Sequence, residues 1–271
     1  MERPARAERK PREEGPRENT MLPNKEGEHR VCGINACKAL FERRPDSLIR
    51  LYITKKTAED FAKAVRFCVT NHLAYHMVEN EDLEKITGST HHEGICMLAR
   101  APEAVSLEDL LAALATDKGA QCLVYTEDVI NPHNLGAILR VSAHYGVKAI
   151  ITDPRAAKNP PAAVWRTAEG GAEHVPVVGV SNRRDALRYL KDEGFAIIGT
   201  SGYADKNLYA IEIPRKTVIL FGSETLGLSN EAMKEATMMV KIPGSGHVES
   251  LNVSCAASAV LGEWYRQNSK R

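Results

Sequence analysis

Three separated stretches of this chain combine the residue types that handle small polar ligands. The first is Asn131-Pro132-His133-Asn134-Leu135-Gly136 with Arg140. The second is Phe221-Gly222-Ser223-Glu224 with Gly227 and Ser229, and the third runs from Ile242-Pro243-Gly244 to Ser250-Leu251-Asn252-Val253-Ser254. Each follows an apolar, strand-like run and brings glycine together with carboxamide, carboxylate or hydroxyl groups. Open backbone of this kind suits a small polar cofactor better than a packed core. Taken singly, the side chains have plainer uses. Arg140, beside Ile138, Leu139 and Val141, is either an ion-pair partner beneath a sheet edge or a reader of anions. Glu224 reads as a turn cap, and Ser250 and Asn252 as N-cap residues of a terminal helix. Their combination points to one shared site.

The elements that must position these stretches alternate between strand and helix. Strands are expected at Cys122–Thr126, Lys148–Thr152, Val175–Val180, Ala196–Thr200, Thr217–Phe221 and Met239–Ile242. Helices are expected at Leu135–Tyr145, opened by Asn134, at Ala162–Glu169, at Arg184–Glu193 and from Asn252 to Arg266. Unbroken apolar runs such as Val218-Ile219-Leu220-Phe221 are buried on both faces, which favours an α/β fold with a mostly parallel sheet. In such a sheet ligands gather beyond the carboxyl ends of the strands. All three stretches fall there, and Gly199-Thr200-Ser201-Gly202 adds a fourth loop. A G-x-G-x-x-G fingerprint is absent, so a nicotinamide-binding domain is disfavoured.

An earlier, smaller α/β unit is expected over residues 29–101. Val31–Phe41 reads as a helix, Leu48–Thr54 as a strand, and Thr57 as the cap of a following helix. Tyr75–Val78 and Gly94–Ala99 complete its strands, with a helix at Glu81–Ile86. Residues 102–118 form a linker around the amphipathic stretch Ser106–Ala115, and residues 119–271 form the larger unit. Residues 1–28 hold seven basic and seven acidic side chains, four prolines and almost nothing apolar, so they read as a disordered tail.

Charge and cysteine content narrow the function. The formal net charge of +1 provides no global basic field. Residues 30–66, however, carry nine Lys/Arg against four acids, a local excess able to meet phosphate. Six cysteines without a C-x-x-C pair read as free thiols in a reducing cytoplasm. No cluster of His, Cys and carboxylates suggests a metal, and no apolar run approaches the ~18 residues of a membrane span.

In order and spacing the three stretches resemble the signature motifs of the SpoU (TrmH-type) branch of the SPOUT RNA methyltransferases. That family shows N-P-x-N-x-G-x-x-x-R, then apolar-G-x-E-x-x-G, then I-P followed by S-L-N-V-S. The likeness covers roughly residues 120–268. The segment 29–101, with His92-Glu93-Gly94-Ile95, is similar to the family's L30e-like substrate-binding domain. The resemblance implies an S-adenosylmethionine-dependent 2′-O-ribose methyltransferase acting on structured RNA, ribosomal RNA first and transfer RNA second. It further implies a trefoil knot in the C-terminal domain, a homodimer and a cytoplasmic, metal-free reaction. By motif position Asn134 and Arg140 would be catalytic, supported by Glu224, Ser250 and Asn252. Gly222, Ile242 and Leu251 would line the donor pocket, with Thr200 and Ser201 added from the fourth loop. Many relatives carry Met after the Ile-Pro; here the stretch is Gly244-Ser245-Gly246-His247-Val248-Glu249, which bears on substrate choice. A protein that keeps this fold and grips RNA without catalysis is the alternative.

Overall fold

A computed structural model of the protein describes residues 27–158 and 160–269. Most of the expected tail lies outside the described residues. Its last residue, however, already belongs to a strand.

The first unit is built from β1 (Glu28–Cys32), α1 (Ile34–Arg43), β2 (Leu48–Ile53), α2 (Lys55–Ala58), α3 (Ala62–Thr70), β3 (Ala74–Met77), α4 (Asn80–Thr87) and β4 (Ile95–Arg100). Its sheet has the order β1-β4-β2-β3, antiparallel except for the β2–β3 pair. Residues 31 and 32, read from sequence as the start of a helix, are the end of β1. Gly33, at a φ of +98°, separates the strand from α1. Thr57 caps nothing. It lies inside α2, where its hydroxyl pairs with that of Thr54 at 2.9 Å. One sheet face packs on Ala36, Cys37 and Leu40 of α1 and on Phe61, Ala64 and Cys68. The other packs on Leu83 of α4, beside Cys32 and Cys96.

The segment 102–118 carries α5 (Leu107–Leu114), capped by the Ser106 hydroxyl, which accepts the Asp109 N–H at 3.0 Å. Leu107, Leu110, Leu111 and Leu114 are all buried against the larger sheet, so this stretch is packed structure. Burial of each such side chain contributes about 1.5–3 kcal/mol.

The second unit continues with β5 (Gln121–Thr126), α6 (Pro132–His144), β6 (Ala149–Thr152), α7 (Pro154–Lys158), α8 (Ala162–Thr167), β7 (Val177–Gly179) and α9 (Arg183–Asp192). It ends with β8 (Ala196–Thr200), β9 (Lys206–Asn207), β10 (Lys216–Phe221), α10 (Asn230–Glu235), β11 (Met238–Lys241) and α11 (Val253–Asn268). Among the described residues seven strands lie in the order β7-β6-β5-β10-β8-β11-β9, and every pairing between them is parallel. Alternation along each strand divides the core into two layers. Val124, Ile198 and Ile219 face α6, α8 and α11, while Leu123, Ile197 and Val218 face α5, α9 and α10. The observed pattern is the doubly covered sheet that the apolar runs require.

The two units are joined tightly. Trp165 of α8 sits in the first unit's core and stacks on His29 with ring centroids 4.5 Å apart. Arg44 forks onto Glu173 at 2.6 and 2.8 Å, and the Asn35 amide donates to Glu169 at 2.8 Å. Gly170, at φ +89°, lets the backbone approach α1: a Cβ there would stand 2.7 Å from that of Ala39.

Candidate active site at the carboxyl edge of the parallel sheet

The ends of β5, β10, β8 and β11 are neighbours on one edge, and each opens into one of the loops singled out above. α6 begins earlier than expected, at Pro132, whose missing N–H is harmless at a first helical position. Asn131, not Asn134, is its cap: the Asn131 carboxamide oxygen accepts the His133 N–H at 2.9 Å. Asn134 therefore sits in the first turn, buried at 7% exposure. Gly136 is forced by α8, since a Cβ would stand 2.8 Å from the Val164 carbonyl oxygen and 2.7 Å from the Thr167 Cβ.

After β10 the chain closes on itself. Ser223 and Gly227 exchange backbone hydrogen bonds of 3.2 and 3.0 Å, and the Ser223 hydroxyl accepts the Leu226 N–H at 3.0 Å. A Cβ on Gly222 would stand 2.1 Å from the Gly227 carbonyl carbon, so no other residue fits there without moving the turn. Glu224 is thereby presented, exposed, at the tip.

Asn252 is the N-cap of α11. Its carboxamide oxygen accepts from the Ser254 N–H at 2.9 Å and from the Ser254 hydroxyl at 2.6 Å. That fixes the orientation of the amide and aims its N–H groups at two acceptors, Asn134 Oδ1 at 3.1 Å and Glu224 Oε1 at 2.8 Å. The three stretches thus meet at one side chain. Because Asn134 uses its oxygen here, its Nδ2 is buried and, among the described residues, without a hydrogen-bond partner. A buried N–H without an acceptor costs about 1–3 kcal/mol, and such groups mark places where a ligand or water belongs.

The structure gathers Asn134, Glu224 and Asn252, but not the whole expected set. Arg140 is exposed on α6, and its guanidinium makes no hydrogen bond or ion pair among the described residues. The ion-pair reading of Arg140 therefore has no partner there, while an exposed, uncommitted guanidinium suits anion recognition. Ser250 is exposed, and no hydrogen bond among the described residues ties it to the cluster. Thr200 gives its hydroxyl to the Leu220 carbonyl at 2.8 Å, and the Ser201 N–H goes to the Val240 carbonyl at 3.0 Å, so both brace the loop ends. Gly222 and Ile242 are half-buried and Leu251 is half-exposed, leaving their backbone at the rim.

Sequence reasoning missed the residue that aligns the first two loops. Glu127, directly after β5, is only 2% exposed. Its carboxylate receives Arg183 Nη1 at 2.9 Å and the Ser229 N–H at 3.1 Å, while its own N–H donates to the Phe221 carbonyl at 2.9 Å. Arg183 also forks onto Asp128 at 2.9 Å. An acidic pair immediately beyond an apolar strand was the available signal. Burial, reinforced by the Glu127 charge, pushes the neighbouring Tyr125 phenol well above its ordinary range.

Among the described residues no group of three or more His, Cys, Asp or Glu could hold a metal ion, and no helix is long and apolar enough to cross a membrane.

Both units of the chain resemble known proteins. Residues 121–262 match the SpoU rRNA Methylase family, and residues 30–105 match the family described as RNA 2'-O ribose methyltransferase substrate binding. The chain is 38% identical over 89% of its length to the Uncharacterized tRNA/rRNA methyltransferase YfiF of Escherichia coli O157:H7, spanning 69% of that protein. It is 32% identical to the 23S rRNA (guanosine-2'-O-)-methyltransferase RlmB of Nitrosomonas europaea, covering 89% of this chain and 92% of that one. The crystal structure of the SpoU methyltransferase AviRb from Streptomyces viridochromogenes, in complex with AdoMet, superposes with a TM-score of 0.72. That match has 22% identity and covers 90% of this chain and 92% of the other. The chain belongs to the SpoU rRNA methylase family.

Proposed function

We propose that this protein transfers a methyl group from S-adenosylmethionine to a ribose 2′-hydroxyl of RNA. One observation carries the reading: Asn252 joins Asn134 and Glu224, so that side chains of the three family motifs meet at one point beyond the ends of the strands. Gly222, Ile242 and Leu251, with Thr200 and Ser201, hold the donor, largely through backbone groups at the loop ends. The donor supplies an electrophilic methyl on a sulfonium. The chain's own residues do the positioning, which is the main demand of an in-line displacement.

Asn252 and Glu224 keep the Asn134 carboxamide in one orientation, so that its free N–H meets an acceptor on a ligand. Arg140 takes a phosphate of the RNA and stabilises negative charge developing on the attacking ribose oxygen. A guanidinium holds its protons firmly, so the 2′-hydroxyl proton passes to water as the oxygen bonds the methyl carbon and the methyl–sulfur bond breaks, with S-adenosylhomocysteine as the leaving group. Ser250, at the mouth of the third loop, completes the set.

Residues 29–101, together with Glu28 of β1, form the substrate-binding unit and 119–271 the methyltransferase unit, with 102–118 between them. The order β8-β11-β9 supports a trefoil knot: β11 lies between two strands that precede it and are joined by a short loop. Ile130 and Leu226, 89% and 88% exposed beside the first two loops, support a homodimer that covers them. The RlmB relative favours ribosomal RNA, and the YfiF relative keeps transfer RNA as the second candidate.

A filter assay with methyl-labelled donor and bulk ribosomal or transfer RNA tests the reading. Label in RNA, mapped by mass to a ribose, is expected; stoichiometric RNA binding without label transfer would favour the non-catalytic alternative.

A further inference from the structure

The stretch Gly244–Glu249 and the loop after β8 are tied together by a contact that the proposed chemistry does not use. The Tyr203 hydroxyl donates a hydrogen bond to Glu249 Oε1. Glu249 directly precedes Ser250, and Tyr203 lies three residues beyond the end of β8. The Tyr203 loop is held from below as well. The Tyr203 N–H donates to the Ser201 hydroxyl at 3.2 Å, and the Ser201 N–H donates to Val240 of β11 at 3.0 Å. Gly202 allows the close approach, since a Cβ there would stand 3.2 Å from the Glu249 carbonyl oxygen.

The ring that this scaffold fixes is itself almost bare. Tyr203 is 83% exposed and takes part in no ring–ring contact among the described residues. Val248, at 71%, and Leu251, at 50%, are also exposed on the same loop as Glu249. An exposed tyrosine normally samples several rotamers, because nothing offsets the entropy lost on fixing it. Here a carboxylate orients the ring without covering it. The same carboxylate lifts the phenol's pKa above its ordinary value, so the hydroxyl remains the donor. It also repels phosphate from this point, which leaves a flat, uncharged π-face as the fitting ligand.

We infer that the Tyr203 ring, oriented by Glu249, is a stacking platform for a nucleobase at the mouth of the site. This rests on the methyl-transfer reading above. The base comes from the target RNA or is the adenine of the donor. Stacking a base on an aromatic side chain is tolerant of sequence and of the order of tenfold or more in affinity.

The experiment uses the full chain, labelled S-adenosylmethionine and bulk ribosomal RNA for KM values, with calorimetric titration of S-adenosylhomocysteine. Tyr203→Ala is compared with Tyr203→Phe, which keeps the ring and loses the bond to Glu249. A rise of about tenfold in the KM for RNA on Tyr203→Ala, with unchanged affinity for S-adenosylhomocysteine, is expected if the base belongs to RNA. The reverse split assigns the platform to adenine. In either case Tyr203→Phe retains most of the affinity. Unchanged values for Tyr203→Ala, or equal losses in Ala and Phe, overturn the inference. If the wild-type chain transfers no label at all, it is the methyl-transfer reading that falls.

Discussion

The amide of Asn252 reaches Asn134 across 118 positions of chain, at 3.1 Å, while the oxygen of the same carboxamide caps α11. One side chain thus starts a helix and joins two distant loops. Asn252→Asp separates these roles. Asp caps a helix as well as Asn does, so the helix start is kept and the melting temperature falls by only a few degrees, from the hydrogen bonds lost at the other end of the side chain. The two donors are lost, and a carboxylate is set against Glu224. Methyl transfer is expected to fall about a hundredfold or more. A thermal melt beside the label-transfer assay checks both halves.

Arg140 is exposed and pairs with no side chain among the described residues, so replacing it is expected to disturb little packing. Arg140→Ala is expected to lower turnover about a thousandfold while leaving donor affinity unchanged. Arg140→Lys keeps the charge but not the planar fork, and recovers only part of the loss. Single-turnover transfer, with a separate titration of S-adenosylhomocysteine, is the measurement. Full turnover in the Ala variant would remove Arg140 from the site.

Gly222 is pressed against the Gly227 carbonyl group. Gly222→Ala must open the turn that presents Glu224, at a cost of about 1–3 kcal/mol. Donor affinity and stability fall together, read by titration and denaturant melt.

Glu127 is a buried carboxylate satisfied by Arg183 and the Ser229 N–H. Arg183→Leu strands that charge and is expected to cost about 1–3 kcal/mol. Adding Glu127→Gln, which still accepts the Ser229 N–H but carries no charge, restores much of it. A double-mutant cycle on urea midpoints measures the coupling.

His29 gives a pH signature. Burial, reinforced by the Arg44 charge, lowers its pKa from 6.5 to about 3. In the unfolded chain the ring takes up a proton near its ordinary value, whereas in the folded chain it stays neutral. Its contribution is therefore intact above pH 6.5 and is lost progressively as pH falls towards about 3. His29→Phe keeps a ring against Trp165 and removes this proton uptake. Melting temperatures between neutral and mildly acid pH should fall less steeply for the variant than for the wild type.

What could be read from sequence follows from periodicity. Runs such as Val218–Phe221 have no polar face, so a doubly covered parallel strand was their natural fate, and the loops at their ends were placed with them. β1 escaped because Val31 and Cys32 continue an apolar pattern shared with Ile34 and Cys37; only the φ of Gly33 breaks it. β9 has two residues and no pattern at all. Asn134, Glu224 and Asn252 were legible as types at a spacing, but not their hydrogen bonds, which depend on strand order. Glu127 and Arg183 were passed over because charge beside a strand end more often faces solvent. Their pairing exists only once β5, β10 and α9 are assembled.

The knuckle at Glu169–Glu173 has a consequence for evolution of specificity. Gly170 is wedged against Ala39, Arg44 clasps Glu173, and Trp165 is plugged into the neighbouring core, so any swing of the small sheet would have to break all three contacts. An enzyme of the proposed kind, so built, would behave as callipers with a locked screw: the gap between where it grips and where it marks would be set by the protein. A new target would then be reached by resetting that gap at the knuckle, and the loops that bear the chemistry could remain as they are.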